Sequence, residues 1–383
     1  MQGYRNKVEF TIGRHYYDKK ICIGFMKSNT NKGIVFTDYP YQIDANLDSQ
    51  DEDVVLSNLT PLPHISLRSV QCAYLVQKLI RELEESLKLP EYNSITHEGW
   101  WRTLLYKESK RTNQCLVSIA VTKDSMSGEQ FDLVSKQILQ LWNEKLDGIV
   151  SVSIIESTGL NGGFESDDQI KYLTDTKTYT EELNGYKFLV SPQAFFQVNS
   201  HVFWKMLDQI RKWAELDDNT VLLDVWWGTG VIGIALSAYV KKIIGIEMVE
   251  SAITDWKANW ELNEISYGQD GKCEYYCGKA EDVLPELSKK LQGCKIIAVV
   301  DPPRSGLHPT VLKSLRTCIG LDRIVYVSWN ANSLSDNLYH LAMPECKKRR
   351  APEFRPVKFC GADLFPYSPH VEWIMLLERY YEG

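Results

Sequence analysis

The feature that most constrains this fold is a regular alternation of strand-like and helix-like segments in the second half of the chain. Apolar, β-branched runs predict strands at residues 220–225, 242–247, 273–277, 295–301, 323–328 and 371–379. Amphipathic runs predict helices between them, at residues 230–239, 250–264, 280–291, 309–319 and 333–341. Such alternation is typical of a doubly wound, mostly parallel sheet, so we predict an α/β domain over residues 185–383.

The first half of the chain has a different pattern. Short β-rich runs separated by turns predict strands within residues 8–36, 101–122 and 150–157. Apolar residues recurring every three or four positions predict a helix at residues 65–88, and a second helix is predicted at 128–146. We find no nucleotide-binding motif here. Residues 1–184 are therefore predicted to form an α+β recognition region rather than a site of chemistry.

Composition narrows the class of protein. No apolar run approaches the ~20 residues of a membrane helix. The N-terminus has neither the apolar core of a signal peptide nor the composition of a transit peptide. The nine cysteines have no metal-type spacing, since the nearest pair is Cys273 and Cys277. We therefore expect an intracellular protein with reduced thiols, no metal site, no iron–sulfur cluster and no membrane partner. A net charge of −7 argues against a uniformly basic surface that binds nucleic acid.

A glycine-rich turn follows the first predicted strand of the α/β domain. Gly228 and Gly230, in the sequence LDVWWGTG at residues 223–230, would let the backbone approach a ligand closely. The next strand ends at Glu247, where an acidic residue typically binds ribose hydroxyls. Asp224 precedes the turn, and the turn has one residue fewer between its glycines than the dinucleotide fingerprint. Both features favour S-adenosylmethionine over a dinucleotide.

Two further segments lie where strands of the α/β domain are predicted to end. Asp301 begins the segment DPPRSGL at residues 301–307, which its two prolines make stiff. The segment is either a site-forming loop at the carboxyl edge of the sheet or an ordinary β–α turn. Methyltransferases that act on exocyclic amines usually carry an aromatic residue after the two prolines, so Arg304 argues against amine methylation. Glu372 precedes the last strand and is either a paired structural acid or a general base tuned by partial burial. His370 is interpreted as a packing residue.

These segments, taken in order, resemble the uracil-C5 RNA methyltransferase family, and in particular its eukaryotic tRNA branch, which makes 5-methyluridine in the T-loop. The resemblance rests on seven motifs spread over nearly the whole chain. They are YRNKVEF (4–10), THEGWW (96–101), SPQAFFQVN (191–199), LDVWWGTG (223–230), DPPRSGL (301–307), VSWN (327–330) and DLFPYSPHVE (363–372).

The resemblance implies a reaction and assigns its residues. In this family a cysteine thiolate adds to C6 of uracil, C5 takes the methyl group of S-adenosylmethionine, and a carboxylate removes the C5 proton. The target base leaves its stack to enter the site. By position, Glu372 falls on the proton acceptor and Trp329 on the nucleophile, which is cysteine in the family. The cofactor contacts fall on Gln197, Trp226, Gly228, Gly230, Glu247 and Asp301.

Tryptophan at position 329 departs from the family, because an indole cannot add to C6. Trp226, Trp227 and Trp260 also stand where the family has cysteine or small residues, and an indole at a close-packed position overpacks a core by roughly 1–3 kcal/mol. One hypothesis is that UGA codons read as cysteine in the source were translated as tryptophan. The other is a catalytically dead protein that binds or folds tRNA. UGG codons at these positions would refute the first.

The resemblance also implies a Rossmann-like class I methyltransferase domain and tRNA as the partner, since the clustered cysteines of rRNA-directed bacterial relatives are missing. We expect a monomer in the cytoplasm or nucleus, with mitochondria left open. Family members usually carry further residues before YRNK, so we expect an N-terminal truncation. Basic residues are candidate phosphate contacts, although a charge run is often only a solvated face. They are Arg5, Lys7, Arg304, Lys347, Lys348, Arg349 and Arg350.

Overall fold

The computed structural model describes residues 2–29, 35–43, 51–123, 127–159, 168–225, 228–248, 250–346 and 351–381. The chain folds as two compact units. The first comprises Met1–Glu181 and Val190–Gln193, and the second comprises Glu182–Leu189 and Ala194–Gly383. The division runs through a hairpin of two strands, β10 (Tyr179–Leu183) and β11 (Tyr186–Val190).

The first unit is built on a seven-stranded sheet with two long helices. The elements are β1 (Lys7–His15), β2 (Ile21–Asn29), β3 (Val35–Asp38), β4 (Tyr41–Ile43), α1 (Glu52–Ser57), β5 (Leu59–Pro61), α2 (Leu67–Leu87), β6 (Trp101–Ser109), β7 (Gln114–Thr122), α3 (Gly128–Lys145), β8 (Ile149–Ser157) and β9 (Gln169–Tyr172). The sheet order is β2-β3-β1-β6-β7-β8-β9, with β1 also paired to β2.

Local signals explain the elements of the first unit. The Ser66 hydroxyl caps α2 by accepting the backbone N–H of Ser69. The apolar residues of α2 face one side, so Val70, Ala73 and Ile80 are buried in the core. Strand β6 is buried at every position because it lies in the middle of the sheet with neighbours on both sides. The helix predicted at residues 65–88 is confirmed as Leu67–Leu87.

The second unit alternates strands and helices as predicted. Its elements are α4 (Ser200–Ala214), β12 (Thr220–Val225), α5 (Val231–Leu236), a 3-10 helix (Ser237–Tyr239), β13 (Lys242–Glu247), α6 (Glu250–Leu262), β14 (Cys273–Cys277), α7 (Ala280–Lys290), β15 (Lys295–Val300), α8 (Pro309–Thr317), β16 (Leu321–Ser328), α9 (Ala331–Ala342), β17 (Phe354–Ala362) and β18 (Glu372–Arg379).

The sheet of the second unit has the order β14-β13-β12-β15-β16-β18-β17. Strands β12 to β16 pair in parallel, whereas β18 runs antiparallel to both β16 and β17. The prediction of a mostly parallel, Rossmann-like sheet is therefore confirmed. In an open sheet of this kind, ligands bind beyond the carboxyl ends of the parallel strands, so this edge is where a site is expected.

Helix α4 and strand β17 are elements of the second unit that were not predicted. Helix α4 was missed, although Asn199 caps it by accepting the backbone N–H of Val202. Strand β17 was missed because it contains Pro356, which is tolerated only at a sheet edge or an irregularity. Both conditions hold, since β17 is the last strand in the order of the sheet and its register with β18 shifts between Pro356 and Lys358.

Within the described residues, no helix is long and apolar enough to cross a membrane. The same residues contain no group of three or more His, Cys, Asp or Glu side chains arranged to hold a metal ion.

Candidate active site

The ends of neighbouring strands bring the predicted site residues to one edge of the second unit's sheet. Glu247 ends β13, Asp301 follows β15 and Trp329 follows β16, and these strands share one direction. Glu372 comes from the opposite end of its strand. Because β18 is antiparallel to β16 and pairs Trp373 with Ser328, its first residue, Glu372, lies beside position 329.

The glycine turn after β12 is fixed by the carboxylate of Glu247. Its Oε2 accepts the backbone N–H of Gly228 at 2.9 Å, and its Oε1 accepts that of Met248 at 2.8 Å. Gly228 and Gly230 have backbone φ angles of +53° and +80°, which residues with a side chain rarely adopt. A side chain at Gly228 would point into open space, with no described atom within 4 Å. Trp226 and Trp227 lie outside the described residues.

A cavity of about 420 Å³ opens at this edge, between the ends of β13 and β14 and the segment that follows β15. Its volume falls within the range of ordinary small-molecule sites. Four of its wall residues belong to the DPPRSGL segment identified from the sequence, whereas the others were not identified because they carry no recognisable motif. The cavity is lined by Ile246, Met248, Gly278, Lys279, Ala280, Glu281, Pro303, Ser305, Gly306, Leu307, His308 and Pro309.

Three carboxyl groups at the edge have raised pKa values. Burial raises the pKa of Asp301 to about 7. Burial, and then the nearby Asp301 charge, raise the pKa of Glu372 to about 8, and this side chain belongs to a residue only 4% exposed. Burial also raises the pKa of Asp224 well above its ordinary value, and Asp301 and Glu247 raise it further, against the backbone N–H of Gly233. A carboxyl poised near neutral pH in a cleft is suited to proton transfer.

The raised pKa of Glu372 predicts that this chain loses stability as pH increases. A glutamate ionises near 4.5 when unfolded but only near 8 here, so the unfolded state binds fewer protons between those pH values. Glu372→Gln cannot ionise. As the pH is raised from 4.5 to 8.5, the unfolding free energy of Glu372→Gln should increase by about 2–4 kcal/mol relative to that of the parent. Urea denaturation at each pH measures both. A difference between the two chains that does not change with pH would contradict this.

Position 329 is occupied by an indole held between a cation and an imidazole. The guanidinium carbon of Arg304 lies 4.5 Å from the centroid of the Trp329 ring. The His370 ring meets the indole edge-on, with centroids 5.7 Å apart at 82°. Asn330 caps α9 and donates to the Arg304 carbonyl oxygen at 2.9 Å. No atom of this indole can act as the thiolate does in the predicted reaction.

The segment that carries Asp301 and Arg304 is held by Asn337, which sequence analysis missed. Asn337 is 6% exposed, and its Oδ1 accepts the backbone N–H of Leu307 at 2.7 Å and the Tyr326 hydroxyl at 2.8 Å. Gly306 has φ of +79°, and a Cβ there would lie 2.7 Å from the same oxygen. The spacing of α9 marks position 337 as buried, but only the fold shows that two donors converge on it.

Asn337→Leu is expected to lower the unfolding free energy by about 2–4 kcal/mol, because two buried donors would lose their acceptor. Chemical denaturation measures this directly. Asn332→Leu is the matched control, since Asn332 is exposed on the same helix and should change stability by less than about 0.5 kcal/mol. Equal losses in the two variants would show that the leucine, rather than the lost acceptor, is responsible.

Comparison with known proteins identifies the family. The sequence model of "tRNA (Uracil-5-)-methyltransferase" matches residues 163–380, which is more than half of the chain. The chain belongs to the tRNA (uracil-5-)-methyltransferase family. The resemblance drawn from the seven motifs is thereby confirmed.

Family members with curated names include tRNA (uracil-5-)-methyltransferase homolog A of Mus musculus, which is 30% identical over 98% of this chain and 57% of its own length. The Homo sapiens homolog A is also 30% identical, over 98% of this chain and 56% of that protein. This chain thus spans just over half the length of these relatives. The fold matches that of Pyrococcus abyssi tRNA (uracil-54, C5)-methyltransferase in complex with S-adenosyl-L-homocysteine, with a TM-score of 0.67, 21% identity, and coverage of 98% and 76%.

All the site residues assigned by resemblance to the family stay predictions, and so do the basic candidate residues. Gln197 lies, partly buried, in the segment between β11 and α4. In the first unit, the Arg5 Nε donates to the Lys7 carbonyl oxygen, and the Lys7 ammonium pairs with Glu9 at 2.7 Å. The basic residues Lys347, Lys348, Arg349 and Arg350 lie outside the described part of the chain.

Asn199, the last residue of the SPQAFFQVN motif, is a buried polar residue. It is 1% exposed, and its Nδ2 donates to the Leu364 carbonyl oxygen at 3.3 Å. Asn259 is likewise fully buried: its Oδ1 accepts the Leu189 N–H at 2.7 Å and its Nδ2 donates to the Thr229 carbonyl oxygen. The second contact ties α6 to the glycine turn.

Proposed function

We propose that this chain is the scaffold of an S-adenosylmethionine-dependent methyltransferase that methylates C5 of a uridine in tRNA. One observation carries the proposal. A buried glutamate, Glu372, with a pKa of about 8, lies at the cofactor edge of the sheet beside the position that the family uses for its nucleophile. We propose that the first unit contributes RNA recognition.

The residues at the edge fit the proposed cofactor. The cavity between β13, β14 and the 303–309 segment has mostly apolar walls for an adenine. Glu247, whose chain neighbours Ile246 and Met248 line the cavity, carries a carboxylate suited to ribose hydroxyls. The open space in front of Gly228 leaves room for the rest of the molecule. When bound, S-adenosylmethionine supplies an electrophilic methyl group and leaves as S-adenosylhomocysteine.

The chain's own residues then determine which steps are possible. A thiolate at position 329 would form a bond to C6 of the uracil, and the electron pair of C5=C6 would move to C5. After C5 has taken the methyl group, the Glu372 carboxylate accepts the C5 proton, C5=C6 re-forms and the sulfur leaves C6. With Trp329 in place the first step has no nucleophile, whereas the proposed last step has its base in Glu372.

The second candidate function is RNA binding without methyl transfer. It is favoured by the packing of Trp329 against Arg304 and His370, which fills the nucleophile position with an aromatic ring. Such a ring can stack on a base that has left its own stack. This function needs the RNA-binding surfaces and leaves Glu372 without a role.

Methyl transfer to a tRNA transcript with labelled S-adenosylmethionine tests the proposal. We expect no labelled RNA from the parent chain, and 5-methyluridine at one position of the transcript from Trp329→Cys, identified after nuclease digestion. An inert Trp329→Cys variant that still binds the tRNA tightly would support the second function. A label on another atom, or on rRNA fragments in preference to tRNA, would overturn the proposed substrate.

A further inference from the structure

The turn between β1 and β2 in the first unit carries a group of exposed aromatic and basic side chains that no role so far described uses. We call it the hairpin patch: Tyr16, Tyr17, Lys19, Lys20 and Lys27. Tyr16 is 45% exposed and Tyr17 is 76% exposed. All five residues lie on the turn or on the adjoining strand β2.

The two tyrosine rings are held in place although they are exposed. Tyr17 meets Tyr16 edge-on, with centroids 5.4 Å apart at 89°, and meets His15 at 5.7 Å and 63°. Tyr16 in turn packs edge-on against the buried ring of Phe36 at 5.3 Å. The edge-on contacts fix the Tyr17 ring while most of its surface stays open to solvent. A fixed, open ring loses little conformational entropy when a flat group stacks on it.

Cations surround these rings. The Lys19 ammonium lies 4.7 Å from the Tyr16 ring centroid and 4.3 Å from that of Phe36. The Lys27 ammonium lies 5.7 Å from the centroids of both Tyr16 and Tyr17. The nearby carboxylates of Asp18 and Asp38 pair with His15 at 3.1 Å and with Lys27 at 3.0 Å. Three lysines against two carboxylates make the patch locally positive on a chain whose net charge is −7.

We propose that the hairpin patch binds unpaired nucleotides of the RNA substrate. A base stacks on Tyr17, supported by Tyr16, and the neighbouring phosphates lie against Lys19, Lys20 and Lys27. Exposed aromatic rings beside cations suit the binding of single-stranded nucleic acid, because every base has a flat face that can stack and every linkage has an anionic phosphate. The inference rests on the proposed function only for the identity of that RNA as tRNA.

Binding of the full chain to a tRNA transcript, to single-stranded oligouridine and to a blunt RNA duplex tests the hairpin patch. We expect Tyr17→Ala to weaken binding of the transcript and of oligouridine by about 5- to 10-fold and to leave the duplex unchanged. Tyr17→Phe keeps the ring and should bind like the parent. Tyr339→Ala, which removes a ring 66% exposed on α9, is the matched control and should have no effect.

Replacing both Lys19 and Lys27 by glutamine should reduce the slope of log affinity against log salt by about 1.4, as expected for two lost contacts to single-stranded phosphates. Unchanged oligouridine binding by Tyr17→Ala, or equal losses for single-stranded and duplex RNA, would overturn the inference. Methyl transfer by Trp329→Cys is measured separately. A Trp329→Cys variant that binds through the patch but never methylates would refute the proposed function alone. A Trp329→Cys variant that also carries Tyr17→Ala and still binds and methylates tRNA normally would refute the patch alone.

Discussion

Replacing Trp329 by cysteine is expected to raise the rate of methyl transfer to tRNA by at least about 10³-fold over the parent chain. Removing the nucleophile of an enzyme that uses covalent catalysis costs up to about 10⁶ in rate, and here the proposed base, Glu372, already lies beside position 329. We expect less than full recovery because Arg304 and His370 are packed against an indole rather than a thiol. Single-turnover transfer of labelled methyl groups measures the gain.

Trp329→Ser is the matched control for this gain. It removes the indole and leaves a side chain of nearly the same size as cysteine, so it opens the site without supplying a thiolate. We expect it to stay at the parent's rate. If Trp329→Ser and Trp329→Cys were equally active, relief of crowding would explain the result and the covalent route would be wrong.

In the Trp329→Cys background, Glu372→Gln is expected to reduce turnover by about 10³-fold or more, while an RNA–protein adduct accumulates. Glutamine keeps the shape of the side chain but cannot accept the C5 proton, so the sulfur cannot leave C6. A general base usually contributes 10²–10⁴ in rate, and trapping of the adduct adds to the loss. Denaturing electrophoresis detects the adduct as a slower band that carries both RNA and labelled methyl.

Glu378→Gln in the same background is the control, because Glu378 lies on the same strand but pairs with Arg323 at 3.1 Å, at the far end from the cofactor edge. It should leave turnover unchanged and give no adduct. Full turnover by the Glu372→Gln variant would place the base elsewhere, with Asp301, whose pKa is about 7, as the next candidate.

Tryptophan also stands at other positions where the family has cysteine or a small residue, and of these Trp260 lies within the described residues. Trp260 is fully buried in α6, with its ring 5.8 Å from that of Trp256. Trp226 and Trp227 lie outside the described residues. The codons at positions 226, 227, 260 and 329 remain the direct test of the UGA hypothesis, and UGG at these positions would refute it.

Much of the second unit could be predicted from local sequence patterns. The strands at residues 220–225 and 242–247 are where the apolar runs predicted them, because a buried parallel strand needs a nearly continuous apolar segment. Strand β17 could not be predicted, since an edge strand with Pro356 and exposed basic residues lacks that pattern. The two hydrogen bonds that Asn337 accepts could not be predicted either, because their donors lie 11 and 30 positions away in the chain.

By itself, the sequence determined the alternation that builds the sheet, the chemistry of the side chains at its edge, and the tryptophan at position 329. The tertiary structure alone decided that Glu372 lies beside that position, because β18 inserts antiparallel between β16 and β17 and brings its first residue to the carboxyl edge. It also decided the proton affinity of Glu372. Burial and the proximity of Asp301 penalise the charged form, and both depend on residues that are distant in the chain.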